Sequence, residues 1–163
     1  MTGSTDDGEE TDGGSTDSSY FERLDVGETH RTRGRTITGA DVANFAGVSG
    51  DFNELHTDAE AIEDSQFGER VAHGALVFSV MTGLLWQSRS PAERDALVAF
   101  YGVDRLRFAA LVFVGDTIHV ELEVAGKEHR DHPEATGLVR YGAAAVDQNG
   151  DTVCSCELLA LVR

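Results

Sequence analysis

One short stretch of the chain concentrates groups able to move protons: Ser49-Gly50-Asp51-Phe52-Asn53-Glu54-Leu55-His56-Thr57-Asp58. Asp51 and His56 place a carboxylate and an imidazole close in sequence, with the Asn53 amide between them. A carboxylate and an imidazole that meet in a dry cleft can share acid–base work on one water molecule. Spacing alone also admits a plainer account, because Asp and Asn are common turn formers and a single histidine is often structural or exposed. A second candidate follows in Val71-Ala72-His73-Gly74. A glycine that opens a helix leaves N–H groups free to polarise a carbonyl as an oxyanion hole, and it lets a ligand approach closely. A turn that simply requires glycine would explain the same residues.

These groups need elements to hold them. Thr29 to Thr38 alternates, which places Arg31, Arg33 and Arg35 on one face of an expected strand and Thr32, Gly34 and Thr36 on the other. Val42, Phe45, Ala46 and Val48 recur at near-helical spacing, with Thr38 as a cap and Gly47 or Gly50 as the stop. Residues 51–74 read as an ordered loop with a short helix from Ala59 to Ile62, capped by Asp58. Ala75 to Trp86 is apolar on almost every side, so it is expected to be a buried central helix.

Beyond Pro91 the pattern turns to strands. Leu106 to Val114 is expected to lead through Gly115-Asp116 into a strand where Ile118, Val120, Leu122 and Val124 alternate with Thr117, His119, Glu121 and Glu123. Leu138 to Val146 and Thr152 to Val162 should pair around Gln148-Asn149-Gly150, whose Asn-Gly is a strong hairpin signal. The expected architecture is an α+β domain whose antiparallel sheet wraps one long apolar helix. No internal repeat is evident.

Composition narrows the function classes. The 163 residues suffice for one domain with a real core, expected over residues 20–163. Residues 1–19 are, after Met1, entirely Gly, Ser, Thr, Asp and Glu with no base, and are expected to form a disordered acidic tail. No secretory leader is legible, and no apolar run approaches the roughly 20 residues of a membrane span. A soluble, cytoplasmic protein without a membrane partner is the expectation. Twenty-nine acidic residues face thirteen basic ones, a formal charge of -16, which argues against nucleic-acid binding. The acids are spread along the chain and Lys127 is the only lysine, as expected of adaptation to the saline cytoplasm of a halophilic archaeon. An acidic partner-binding protein is the alternative.

Other residues invite less. Cys154 and Cys156 share one face of the last strand and read as small core residues. His129 and His132 flank Arg130-Asp131 in a Pro-containing turn, but further metal ligands are missing. Arg31, Arg33 and Arg35 could meet phosphate groups or pair with surface acids.

Taken together, Asp51-x-Asn53-x-Leu55-His56-x-Asp58, Phe67-Gly68 and Ala72-His73-Gly74 resemble the hydratase motif of MaoC-like (R)-specific enoyl-CoA hydratases and dehydratases. Leu106-Arg107-Phe108 and Gly115-Asp116-Thr117-Ile118 match that family's strand segment, and the resemblance covers about residues 29–162. It implies a hot-dog fold, usually paired as a homodimer or higher homo-oligomer, with an acyl-CoA thioester site at or near the subunit interface. By position, Asp51 and His56 would activate water, Asn53 would position the pair or the water, and the Gly74 N–H would hold the thioester oxygen. His73 and Thr82 are carried as further substrate-binding candidates, Thr82 standing where related hydratases often place serine. No metal or redox cofactor is implied, coenzyme A being part of the substrate. Two departures stand out: Glu54 replaces the family's usual proline, which loosens the loop and adds a charge near the site, and Leu111 stands where proline is common. The implied reaction is (R)-specific hydration of a trans-2-enoyl-CoA to an (R)-3-hydroxyacyl-CoA, reversible as a dehydration. Alternatives are the same chemistry on a branched or dicarboxylic thioester such as mesaconyl-CoA, and a non-catalytic acyl-thioester binding module. Nothing singles out a hydrolytic carboxylate on the central helix, which argues against a thioesterase.

Overall fold

The computed structural model describes residues 18–163; all but the last two residues of the expected acidic tail lie outside them. Helix α1 (Tyr20–Arg23) opens the domain, followed by β1 (Thr29–Arg31), β2 (Arg35–Thr36) and α2 (Gly39–Ser49). Two short helices, α3 (Glu54–Thr57) and α4 (Ala59–Glu63), precede the long α5 (Gly74–Ser88) and the short α6 (Pro91–Ala96). Four long strands complete the chain: β3 (Leu97–Phe108), β4 (Thr117–His129), β5 (Gly137–Val146) and β6 (Thr152–Val162). The strands form an antiparallel sheet in the order β1-β4-β5-β6-β3, with β2 paired to β4.

Local chemistry fixes most of these boundaries as the sequence predicts. Thr38 and Asp41 close a reciprocal capping box at the start of α2, and Gly50 ends it in the left-handed conformation. Asp58 caps α4 through the N–H groups of Glu60 and Ala61. In β4, Ile118, Val120 and Val124 are buried while Glu121 and Glu123 face out, as period-two alternation requires. The hairpin between β5 and β6 turns at Asp147–Gly150, with the Asp147 carboxylate accepting from the Asn149 and Asp151 N–H groups.

Three expectations need correction. The predicted strand Leu106–Val114 is displaced: β3 begins at Leu97 and ends at Phe108. The Ala109 and Ala110 N–H groups share the Val153 carbonyl of β6, which ends the ladder, and beyond it the Val112 carbonyl accepts from Ala72 and Phe113 bridges Val71. Pro91–Ala96 is helical rather than extended, started by a Ser90/Glu93 capping box with proline in the first turn. The arginine row is not one strand, since β1 and β2 are separated at Thr32–Gly34. There the Thr32 hydroxyl, buried, replaces a ladder carbonyl as acceptor for the Val120 N–H at 2.9 Å. Arg33 then meets Gln87 and Arg35 meets Asp41, so Arg35 pairs with an acid.

Helix α5 lies in the concave face of the sheet, as a hot-dog domain requires. Met81 and Leu84 are almost wholly buried in one cluster with Ile118, Val120, Val139 and Val153. Full burial of such side chains contributes about 1.5–3 kcal/mol each. The helix is not buried all round, however: Ala75, Ser79 and Trp86 remain exposed, because a single sheet can wrap only one side of it. Helix α1 seals the other end of the sheet. The Lys127 ammonium donates to the carbonyls of Phe21, Glu22 and Leu24, which satisfies backbone acceptors at the end of α1. Phe21 packs so tightly on Gly137 that a Cβ there would lie 2.3 Å from the ring and 2.6 Å from the Glu128 carbonyl oxygen. Gly137→Ala is therefore expected to destabilise the domain by about 1–3 kcal/mol. Urea unfolding reads this as a lower midpoint, and an unchanged midpoint would show that the contact is not rigid.

Candidate active site

The site is assembled by three segments that the fold brings together: the turn after α2, helix α3 and the N-terminus of α5. Gly50 reverses the chain so that Asp51 starts the turn. The Asp51 carboxylate accepts from the Asn53 N–H at 3.2 Å, and the Asn53 side chain caps α3 by accepting from Leu55 at 2.9 Å. Asn53 thus orients both the acid before it and the one-turn helix that carries His56. Glu54 occupies the first turn of that helix, where a negative charge is favoured by the backbone dipoles.

His56 is fixed by its Nδ1 atom, 2.7 Å from the Val71 carbonyl oxygen. A carbonyl can only accept, so Nδ1 carries the proton in the neutral ring and Nε2 keeps its lone pair. Nε2 lies 3.9 Å from the Asp51 carboxylate, beyond direct hydrogen-bonding distance but suited to a water held by both. The carboxylate is about half exposed while the imidazole is mostly covered, with side-chain exposures of 55% and 12%.

His73 stands behind this pair. It is buried, its Nε2 lies 3.0 Å from the Asp51 carbonyl oxygen, and its ring stacks on His56 at 3.7 Å between centroids. His73 therefore braces the turn and the catalytic candidate. Asp51, His56 and His73 present donor atoms within 4.8 Å of one another, a set that could hold a cation. The ring nitrogens not already facing a backbone carbonyl are Nε2 of His56 and Nδ1 of His73.

Gly74 opens α5, whose first N–H groups have no acceptor within the helix. No side chain caps them. The Phe108 ring covers this glycine so closely that a Cβ would lie 3.0 Å from it. Gly74, His56, Val77, Phe108, Leu111 and Val112 line a largely apolar hollow of about 200 Å³. Thr82 lies two turns further along α5 and donates to the Ser79 carbonyl, so the structure does not bring it to this hollow. Phe108 and the Val71 carbonyl were not legible as site groups. Both act through contacts across the fold that no local pattern encodes.

A protein-family model described as a MaoC like domain matches residues 23–146. This chain belongs to the MaoC-like family. The MaoC-like chain is 43% identical over 103 residues to the protein MaoC of Klebsiella aerogenes, covering 63% of this chain and 30% of that one. It therefore spans less than a third of that relative. It is 36% identical to an (R)-specific enoyl-CoA hydratase of Aeromonas caviae, covering 76% of this chain and 90% of the relative. Its fold is similar to that of a solved monoamine oxidase regulatory protein from Archaeoglobus fulgius, with a TM-score of 0.80 and 36% identity. That match covers 88% of the MaoC-like chain and 94% of the other.

The remaining candidates fall outside this cluster. Cys154 and Cys156 are buried, and burial pushes the Cys156 thiol up to about 11, which keeps it protonated and unreactive at neutral pH. His129 faces Glu22 and His132 accepts from the Glu134 N–H, so the two engage different partners. No helix among the described residues is long and apolar enough to cross a membrane.

Proposed function

We propose that the chain is an (R)-specific enoyl-CoA hydratase, working equally as a 3-hydroxyacyl-CoA dehydratase. The observation that carries the proposal is the 3.9 Å separation, short enough for one water to hydrogen-bond both groups, between the Asp51 carboxylate and an imidazole whose tautomer is fixed by the Val71 carbonyl. In the hydration direction, the pair removes a proton from the water between them, and the water oxygen bonds to C3 of the trans-2-enoyl thioester. The C2–C3 π electrons move toward the thioester carbonyl, whose oxygen accepts from the Gly74 N–H as negative charge develops. A proton returned to C2 completes addition of H and OH. The thioester itself makes C3 electrophilic, so the proposed reaction needs no metal or redox cofactor, and chelators should leave turnover unchanged. The family resemblance and the hydratase relative support (R) stereochemistry and a CoA thioester.

The test is hydration of crotonyl-CoA in molar potassium chloride, followed by loss of enoyl absorbance and by the product's chirality. Turnover to the (R)-alcohol is expected. A folded protein with no activity on straight-chain, branched or dicarboxylic thioesters would overturn the reaction and leave a binding module.

A homodimer belongs to the same proposal. Strand β3 is an open sheet edge, and Phe100, Tyr101 and Phe108 on it are exposed together with Trp86 of α5. Monomers rarely leave such a patch beside an unpaired edge bare. A second copy would cover it and dry the hollow beside Phe108. Tyr101→Glu is expected to shift the molecular mass measured by light scattering from dimer to monomer. A monomeric wild type would remove this part of the proposal. The spread of acidic charge supports a saline setting: raising potassium chloride to molar levels should raise the melting temperature, and no rise would count against it.

A further inference from the structure

At the far end of α5, about 22 Å from Gly74 at 1.5 Å per residue, two hollows meet. One is apolar, about 200 Å³, and lined by Leu85, Trp86, Leu97, Phe100 and Leu158 among others. Its neighbour, about 390 Å³, is of mixed lining and bounded by Tyr20, His30 and Glu93 among others. Arg89 and Tyr141 line both. The Tyr141 hydroxyl is buried on β5 with the Tyr20 hydroxyl and the Arg89 guanidinium beside it, but neither meets it in good hydrogen-bonding geometry. An unsatisfied buried hydroxyl is costly and calls for an acceptor. Arg89 sits over the Tyr141 ring at 5.5 Å. Among the described residues it forms none of the ion pairs that engage Arg35, Arg105, Arg130, Arg140 and Arg163. The Glu93 carboxylate, which accepts from the Ser90 N–H at 2.6 Å, lies near enough to feel the Arg89 charge but forms no ion pair with it. Burial raises the Tyr141 pKa, so the hydroxyl stays a donor.

We propose that this junction binds an apolar chain ending in a carboxylate, with the chain in the apolar hollow and the carboxylate accepting from Arg89 and the Tyr141 hydroxyl. Two donors with no acceptor in hydrogen-bonding geometry, set where an apolar hollow meets a mixed one, match that chemistry better than a neutral lipid. A second copy on the β3 edge would roof the apolar side and leave entry from the mixed hollow. The carboxylate is that of a free fatty acid, because a short dicarboxylic acyl group whose thioester rests at Gly74 cannot span about 22 Å.

Calorimetric titration of the full chain with octanoate and with octan-1-ol reads the site without turnover, so its outcome is independent of the hydratase reading. Octanoate should bind at least about tenfold more tightly than the alcohol, as charge-assisted hydrogen bonds require. Arg89→Gln and Tyr141→Phe should each reduce that advantage without lowering the melting temperature, which removal of the unsatisfied Tyr141 hydroxyl should if anything raise, and Arg89→Lys should retain part of the advantage. Equal binding of the two probes, no binding of octanoate, or an advantage that survives both variants would overturn the proposal.

Discussion

Replacing His56 by Ala, or Asp51 by Asn, is expected to lower kcat for enoyl-CoA hydration by about 10²–10⁴-fold, the range of a general acid–base group. The melting temperature should hold. Asp51 is half exposed, and its side chain makes one 3.2 Å contact, to the Asn53 N–H, that asparagine's oxygen can keep. Removing the His56 ring loses its bond to Val71 and its stack on His73, yet α3 keeps its Asn53 cap. Because the two groups would act on one water, the double variant should be little worse than either single one. Steady-state kinetics on all three proteins, with circular dichroism to check folding, reads this directly. Additive losses would mean that the two residues work in separate steps. Full activity in either single variant would remove that residue from the mechanism.

The second large effect concerns Gly74. A methyl group there would press on the Phe108 ring at 3.0 Å, at the same point where the free N–H groups of α5 face the hollow. Either the ring or the helix start must move by a few tenths of an ångström. Phe108 is half exposed and can yield, so stability should change little, whereas the position of the N–H donor should not survive. Gly74→Ala is therefore expected to lower kcat by about 10²-fold, comparable to the loss of one oxyanion-hole donor. A rise in KM with kcat unchanged would instead assign Gly74 to binding alone. Stopped-flow or steady-state hydration assays separate the two.

The residues themselves determined the local structure. Thr38 with Gly50, Asp58 and the Asn-Gly turn set element boundaries through capping and turn bonds that span only a few residues. Alternation along β4 fixed which of its faces turns inward, whereas the apolar run of α5 predicted a buried helix but not which side of it stays exposed. The motif from Asp51 to Gly74 named the catalytic candidates. What the sequence could not determine was how long-range partners redirect those elements. The Leu106–Val114 pattern reads as a strand, yet the ladder to β6 ends where Ala109 and Ala110 share the Val153 carbonyl, and Val112 bonds to Ala72 instead. Alternation at Arg31, Arg33 and Arg35 reads as one strand, yet the Thr32 hydroxyl takes the place of a ladder acceptor and divides it. The tautomer of His56 depends on a carbonyl fifteen residues away, and His73 reaches Asp51 across twenty-two. Arg89 and Tyr141, distant in sequence and unremarkable alone, share a hollow only because β5 packs beside the end of α5. Local hydrogen bonds and periodicity are written in neighbouring residues, whereas an acceptor's identity is decided by whichever group packing brings within 3 Å of the donor.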